Sequence, residues 1–227
     1  MKKIIANMFI TGSKLFIICA LSAIILGLLN SITAPQITLN KEKQEKLALD
    51  ELISKGSTPG KKKPVAAEMV NSYYEITSGE RIVSFVLELS GPGYGGPIKI
   101  MGNFKPDGEL ISAKVMDNKE TPGLGKKAEA PGYMRKFIGK GSAGSLPIPT
   151  TADELARQLM KQGTGKGDTL TSREKKNAFL EIIHWIFGKE KSGSTDSVTG
   201  ATITFKGISK ALAAGAAYVQ SQLGEPK

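Results

Sequence analysis

The spacing of apolar residues changes three times along this chain. Over residues 15–34 they are nearly continuous, with Ser22, Asn30, Ser31 and Thr33 as polar interruptions and no charge. About 20 residues at a rise of about 1.5 Å cross a bilayer core of about 30 Å, so this run predicts a transmembrane helix. A cleaved signal peptide has a shorter apolar core and an A-x-A-like site, which Ile32-Thr33-Ala34 matches poorly. An uncleaved anchor is expected. Residues 40–55 then read as a short amphipathic helix with Leu49, Leu52 and Ile53 on one side, and "GSTPGKKKP" (56–64) as a linker.

The period next shortens. Residues 72–77, 81–89, 97–104 and 108–116 are short β-type runs. Ser78-Gly79-Glu80, a glycine-rich turn and Pro106-Asp107-Gly108 separate them, which predicts an antiparallel meander. The remainder returns to helical spacing at 151–163 and at 171–188, the latter opened by the capping box Thr171-x-x-Glu174. A last helix runs from about residue 204 to 223, with Phe205, Ile208, Leu212, Ala216, Val219 and Leu223 on one face. Gly207 and Gly215 weaken it by roughly 1 kcal/mol each against alanine. The expected fold class is α+β: an N-terminal transmembrane helix followed by an antiparallel sheet packed with helices. The expected parts are a tail at 1–14, the anchor at 15–34, a helical stem and linker at 35–71, one compact domain at 72–222 and a tail at 223–227.

Composition narrows the function classes. The net charge is +10, yet it is spread thinly in lysine-rich patches and aromatics are only 6%, which argues against nucleic-acid binding. A solvated basic surface or attraction to an anionic membrane accounts for the charge. With one cysteine (Cys19) and one histidine (His184), no disulfide forms within the chain and no Cys/His metal cluster assembles. His184 has no acid–base partner, and no catalytic constellation is visible. Lys2, Lys3 and Lys14 precede the anchor and Lys41, Lys43 and Lys46 follow it closely, so the charge difference is weak; a short N-terminal tail is expected to stay in the cytoplasm, placing the bulk of the chain outside.

Three stretches carry candidate chemistry. "GPGYGG" (91–96) has the form G-x-G-x-x-G, with Asp117 downstream, but it leads into strand-like "PIKIMG" rather than a helix. It is therefore not a dinucleotide fingerprint, and a tight hairpin is expected. "GTGKGDT" (163–169) and "GKGS" (139–142) are fragments of a phosphate loop without its spacing. "ETPGLGKK" (120–127) is either a surface turn or a loop that lays bare backbone against a flat ligand. "DSVTGATIT" (196–204) is expected just ahead of the last helix. Its hydroxyls either cap that helix or, with the unpaired amides there, receive a phosphate.

Together and in this order, behind an anchor, "GYGGPI" (93–98), "ETPGLG" (120–125) and "DSVTGATIT" resemble the FMN-binding domain family. That domain occurs in the G subunit of Rnf electron-transport complexes and in the C subunit of the sodium-translocating NADH:quinone reductase. The resemblance covers roughly residues 80–222 plus the anchor, and the compact size is closer to the Rnf type. It implies FMN joined to Thr202 through a phosphodiester, made from FAD by a separate flavin transferase with magnesium. That enzyme would recognise a motif containing Asp196, Thr199, Gly200, Ala201 and Thr204. It also implies a flavin-side loop of Glu120, Thr121, Gly123, Leu124 and Gly125, with Tyr94, Gly95 and Gly96 nearby. The expected protein is a single-pass cytoplasmic-membrane flavoprotein, its main domain on the extracytoplasmic side. It would work with other membrane and soluble subunits and with no nucleic acid. Phe205 replaces a small residue common after the motif, and residues 139–190 are longer and richer in lysine than the family pattern. A C-type subunit of the quinone reductase and a non-redox exported module are the alternatives. In the latter, "TGAT" is only a cap.

Overall fold

The computed structural model describes residues 2–122, 125–130, 132–151, 154–155, 157–158 and 195–224, with the last helix's side chains described from Thr202 onward. The chain divides into two compact units, residues 1–47 and 48–227.

Helix α1 (Lys2–Leu52) runs without a break through Pro35, where a separate stem helix was expected. Within Gly12–Leu52 it holds the only stretch among the described residues long and apolar enough to cross a membrane. Leu15, Phe16, Ile17, Ile18, Leu21 and Ile24 are exposed on all sides of it, as suits lipid rather than a protein core. Its hydroxyls turn inward: Ser22 Oγ donates to the Ile18 carbonyl at 2.9 Å and Ser31 Oγ to Leu28 at 2.9 Å. In hydrocarbon no water would replace those bonds. These features support a membrane location.

The second unit is a six-stranded antiparallel sheet. The meander is β3 (Val70–Ser78), β4 (Arg81–Gly91), β5 (Ile98–Phe104) and β6 (Leu110–Asp117), paired in that order. Two further strands, β1 (Thr58–Pro59) and β2 (Lys63–Ala67), pair with the outer edge of β3, inside the stretch read as linker. Pro59 and Pro64 hide them from pattern reading, yet an edge position tolerates a residue with no N–H to give.

Helix α2 (Thr195–Tyr218) covers one face of the sheet and continues into a wide turn at Val219–Leu223. Phe205, Ile208, Leu212, Ala216 and Val219 meet Phe85, Leu87, Leu89, Ile100 and Phe104 there. The other face packs Tyr74, Ile76, Val86 and Met101 under Ala48, Leu49 and Leu52 from the end of α1. That end is tied down because Asn103 Nδ2 and Ser112 Oγ both donate to the Leu52 carbonyl, at 2.9 and 3.0 Å. A helix's last carbonyls have no intrahelical partner, and here the sheet supplies one. With both faces covered, β4 reads as nearly continuous apolar sequence rather than as alternation.

Of the helix expected at 151–163, residues 154, 155, 157 and 158 are helical, and Thr151 Oγ1 accepts the Glu154 N–H at 3.2 Å as a cap. The helix expected at 171–188, with His184 and Trp185, lies outside the described residues.

Candidate functional site

The β4–β5 hairpin, the segment after β6 and the first half of α2 meet at one end of the sheet. Short side chains decide how closely. A Cβ on Gly207 would lie 1.7 Å from the Pro92 carbonyl oxygen, and one on Gly91 would lie 2.3 Å from the carbonyl of Gly207. The helix therefore rests on the hairpin backbone to backbone. Gly207 and Gly215 are contact positions rather than weak points: a Cβ at Gly215 would come within 3.0 Å of Phe104.

The hairpin is equally tight against the segment after β6. A Cβ on Gly93 would meet a Glu120 carboxylate oxygen at 2.3 Å, and one on Gly95 would meet the Lys119 carbonyl at 2.4 Å. Of the hairpin glycines only Gly96 takes a positive φ, +139°. Glu120 is 4% exposed and its Oε1 accepts the Gly95 N–H at 3.0 Å. The third contact closes the ring, since a Cβ on Gly125 would lie 2.5 Å from Thr204 Oγ1. Thus Gly95, Gly96, Glu120, Gly125 and Thr204, from three separate stretches of sequence, come together.

Thr202 lies on the same part of α2 and is half-buried, whereas Thr204 is fully buried against Gly125. Tyr94 is 69% exposed at the hairpin tip, and Thr121 is exposed. Asp196, Thr199, Gly200 and Ala201 fall in the first two turns of α2. Gly123 and Leu124 lie outside the described residues.

One expectation is corrected. The last helix begins at Thr195, not near 204, so Thr202 stands about two turns inside it. The unpaired amides of a helix belong to its first four residues, so neither Thr202 nor Thr204 is a cap, and the helix-terminus case for a phosphate does not apply to them.

Behind the site, Phe205 is fully buried and stacks on Phe137 at 5.5 Å between centroids. Lys136 ends the turn Tyr133–Lys136, with Nζ 3.5 Å from the Tyr133 ring centroid and 5.9 Å from that of Phe205. Burial pushes the Lys136 amine down to about 7 and the Tyr133 phenol up. The folded state thus holds fewer protons than the unfolded chain between pH 7 and the ordinary lysine value. The cost of burying the cation is complete below pH 7 and fades as pH rises. Lys136→Met is therefore expected to raise the melting temperature most near pH 6, with the gain shrinking toward pH 9. Thermal unfolding across that range checks it.

The geometry also shows Asn118, which sequence reading missed. It sits between β6 and the glycine loop, where no spacing marks it out.

An α+β domain whose glycine loops close on a hydroxyl-bearing helix, on a chain whose described residues include a membrane-length helix, is a ligand-binding module of a membrane protein. The chain belongs to the FMN-binding domain family, whose model matches residues 93–217, more than half of the chain. It is similar to the G subunit of a proton-translocating ferredoxin:NAD(+) oxidoreductase complex from Clostridium ljungdahlii, at 24% identity over 79% of this chain and 92% of that one. The G subunit of an ion-translocating oxidoreductase complex from Methanosarcina acetivorans is 25% identical over 92% of each chain. That of a Na(+)-translocating ferredoxin:NAD(+) oxidoreductase complex from Acetobacterium woodii is 27% identical over 73% of this chain and 84% of its own.

The residues present fit FMN held through its phosphate. Thr202 carries a hydroxyl that is neither at a helix cap nor fully buried, two residues from Thr204, which seats the helix on Gly125.

Proposed function

We propose that this chain is a membrane-anchored flavoprotein subunit that relays electrons in an ion-translocating oxidoreductase complex linked to ferredoxin and NAD, with FMN joined covalently to Thr202. The convergence of the hairpin, the 118–125 segment and α2 on one junction carries this reading. The family and the relatives from translocating oxidoreductase complexes support it. Bound FMN supplies one- and two-electron transfer, which a chain without acid–base machinery of its own can use directly.

This chain's residues hold and orient. Thr202 provides the attachment oxygen, Glu120 fixes the hairpin through Gly95, and Thr204 seats the helix on Gly125. A threonine hydroxyl is a weak nucleophile unaided, so a flavin transferase is the catalyst: Thr202 Oγ1 bonds to the FMN phosphorus of FAD and AMP leaves. The flavin domain lies on the extracytoplasmic side in this reading, although Lys2, Lys3 and Lys14 before the apolar run are matched by Lys41, Lys43 and Lys46 after it. There it meets the other subunits.

The test is mass. Full-length protein made alongside its flavin transferase is expected to gain one FMN phosphoryl group that survives denaturation. An unchanged mass would sink the carrier reading.

A further inference from the structure

Asn118 follows β6 directly and is only 6% exposed. Its amide works at both ends. Nδ2 donates to the Gly125 carbonyl at 3.1 Å, and Oδ1 accepts the Glu120 N–H at 2.9 Å. An asparagine amide carries a donor and an acceptor a fixed distance apart, so one buried group ties Glu120 to Gly125.

What those two ends touch gives the bonds their reach. Glu120 passes the restraint to the hairpin, because its carboxylate accepts the Gly95 N–H at 3.0 Å. Gly125 passes it to α2, because its backbone abuts Thr204 Oγ1, two residues from Thr202. Loosening Asn118 therefore frees the hairpin tip at Gly95 and the helix at Thr204 from their shared tie at the same time, and leaves only the direct contact of Pro92 with Gly207 between them. Neither partner can compensate locally, since Glu120 and Gly125 are themselves buried.

We propose that Asn118 is a positioning residue of the flavin site, setting the placement of the β4–β5 hairpin against the helix that bears Thr202 and, through that placement, the surroundings of the attached flavin. The proposal rests on Thr202 as the attachment point. Asn118 itself need not touch the flavin.

A purely structural side chain would change only the melting temperature. A positioning residue also changes what the flavin reports. Asn118→Asp separates the two because it is isosteric. As a carboxylate it keeps the acceptor for Glu120 N–H but has no donor for the Gly125 carbonyl. As a neutral acid its O–H donates to Gly125 while its C=O accepts from Glu120, restoring the native pair. Burial and the Gly125 carbonyl favour the neutral form while the Glu120 N–H favours the carboxylate; desolvation of a buried carboxyl raises its pKa, so its titration is followed from about pH 5 to 8. Lys119 and Lys126, exposed on the same segment, are the nearby positive charges in sequence.

The experiment uses the full-length, flavin-loaded chain in detergent. Visible circular dichroism and the flavin midpoint potential are recorded across that pH range for wild type, Asn118→Asp and Asn118→Leu. Asn118→Leu is expected to shift both readouts at every pH. Asn118→Asp should match wild type at the acid end and depart toward Asn118→Leu as pH rises. Should Asn118→Leu not fold, the Asn118→Asp series decides alone. Spectra and potentials identical to wild type at every pH, with only a lower melting temperature, overturn the proposal. Wild type that takes up no FMN mass defeats the attachment reading instead.

Discussion

Thr202→Val is expected to abolish the covalent flavin while leaving the protein folded. Valine matches threonine in shape and β-branching and has a similar helix propensity, so α2 keeps its backbone. Thr202 is half-buried, which limits the packing change. The loss should be complete rather than partial, because a phosphodiester needs an oxygen and valine supplies none at that position. Thr199→Val and Thr204→Val are the controls, and each should retain the flavin. Thr204→Val is the more informative of the two. Its hydroxyl is buried against Gly125, so the variant is expected to lose about 1 kcal/mol of stability yet still carry FMN. In-gel fluorescence under ultraviolet light after denaturation, with intact mass alongside, reads all three. A fluorescent Thr202→Val beside a dark Thr199→Val or Thr204→Val would move the attachment to another hydroxyl.

Much of this architecture was legible because period and turn chemistry agree along it. The four meander strands lie where the short β-type runs and the turn residues between them place them, within two residues at each end. Leu49 and Leu52 are buried together and Ile53 packs against them, on the one side of the stem that their spacing predicts; Ala48 joins them there. Where the reading differed, a tertiary partner had overridden a local signal. β1 and β2 form because β3 has a free edge, although their sequence reads as a proline and lysine linker. Asn118 is invisible in sequence because its role comes from two backbone groups folded back onto it. The three motifs were each ambiguous as sequence, and family resemblance joined them before geometry did. The contacts of Gly93 with Glu120, Gly125 with Thr204 and Gly91 with Gly207 give that joining a physical form. They also change why the glycines matter: most serve close approach of backbone rather than a turn.

That distinction yields the largest stability effect expected in the chain, at Gly207. On helix propensity alone Gly207→Ala should stabilise α2 by about 1 kcal/mol. The local contact reverses the sign. The new Cβ would stand 1.7 Å from the Pro92 carbonyl oxygen and 2.8 Å from its carbon, both backbone atoms of a hairpin already pinned to Glu120 through Gly95. No rotamer relieves such a clash, so helix and hairpin must separate. Overpacking a well-packed contact costs about 1–3 kcal/mol and more where backbone must move. For a domain of this size about 3 kcal/mol lowers the melting temperature by roughly 6–12 °C. Gly215→Ala on the same helix provides the contrast. Its Cβ would meet only side-chain carbons, Phe104 Cζ at 3.0 Å and Leu89 Cδ1 and Cδ2 at 3.1 Å, which can shift by a few tenths of an ångström. There the propensity gain offsets most of the strain, and near-neutral stability is expected. Thermal unfolding of both variants by circular dichroism checks the pair, and a Gly207→Ala protein as stable as Gly215→Ala would refute the close contact between α2 and the hairpin. Because separation opens the junction that holds Thr202, Gly207→Ala should also take up less FMN than Gly215→Ala at a temperature where both remain folded.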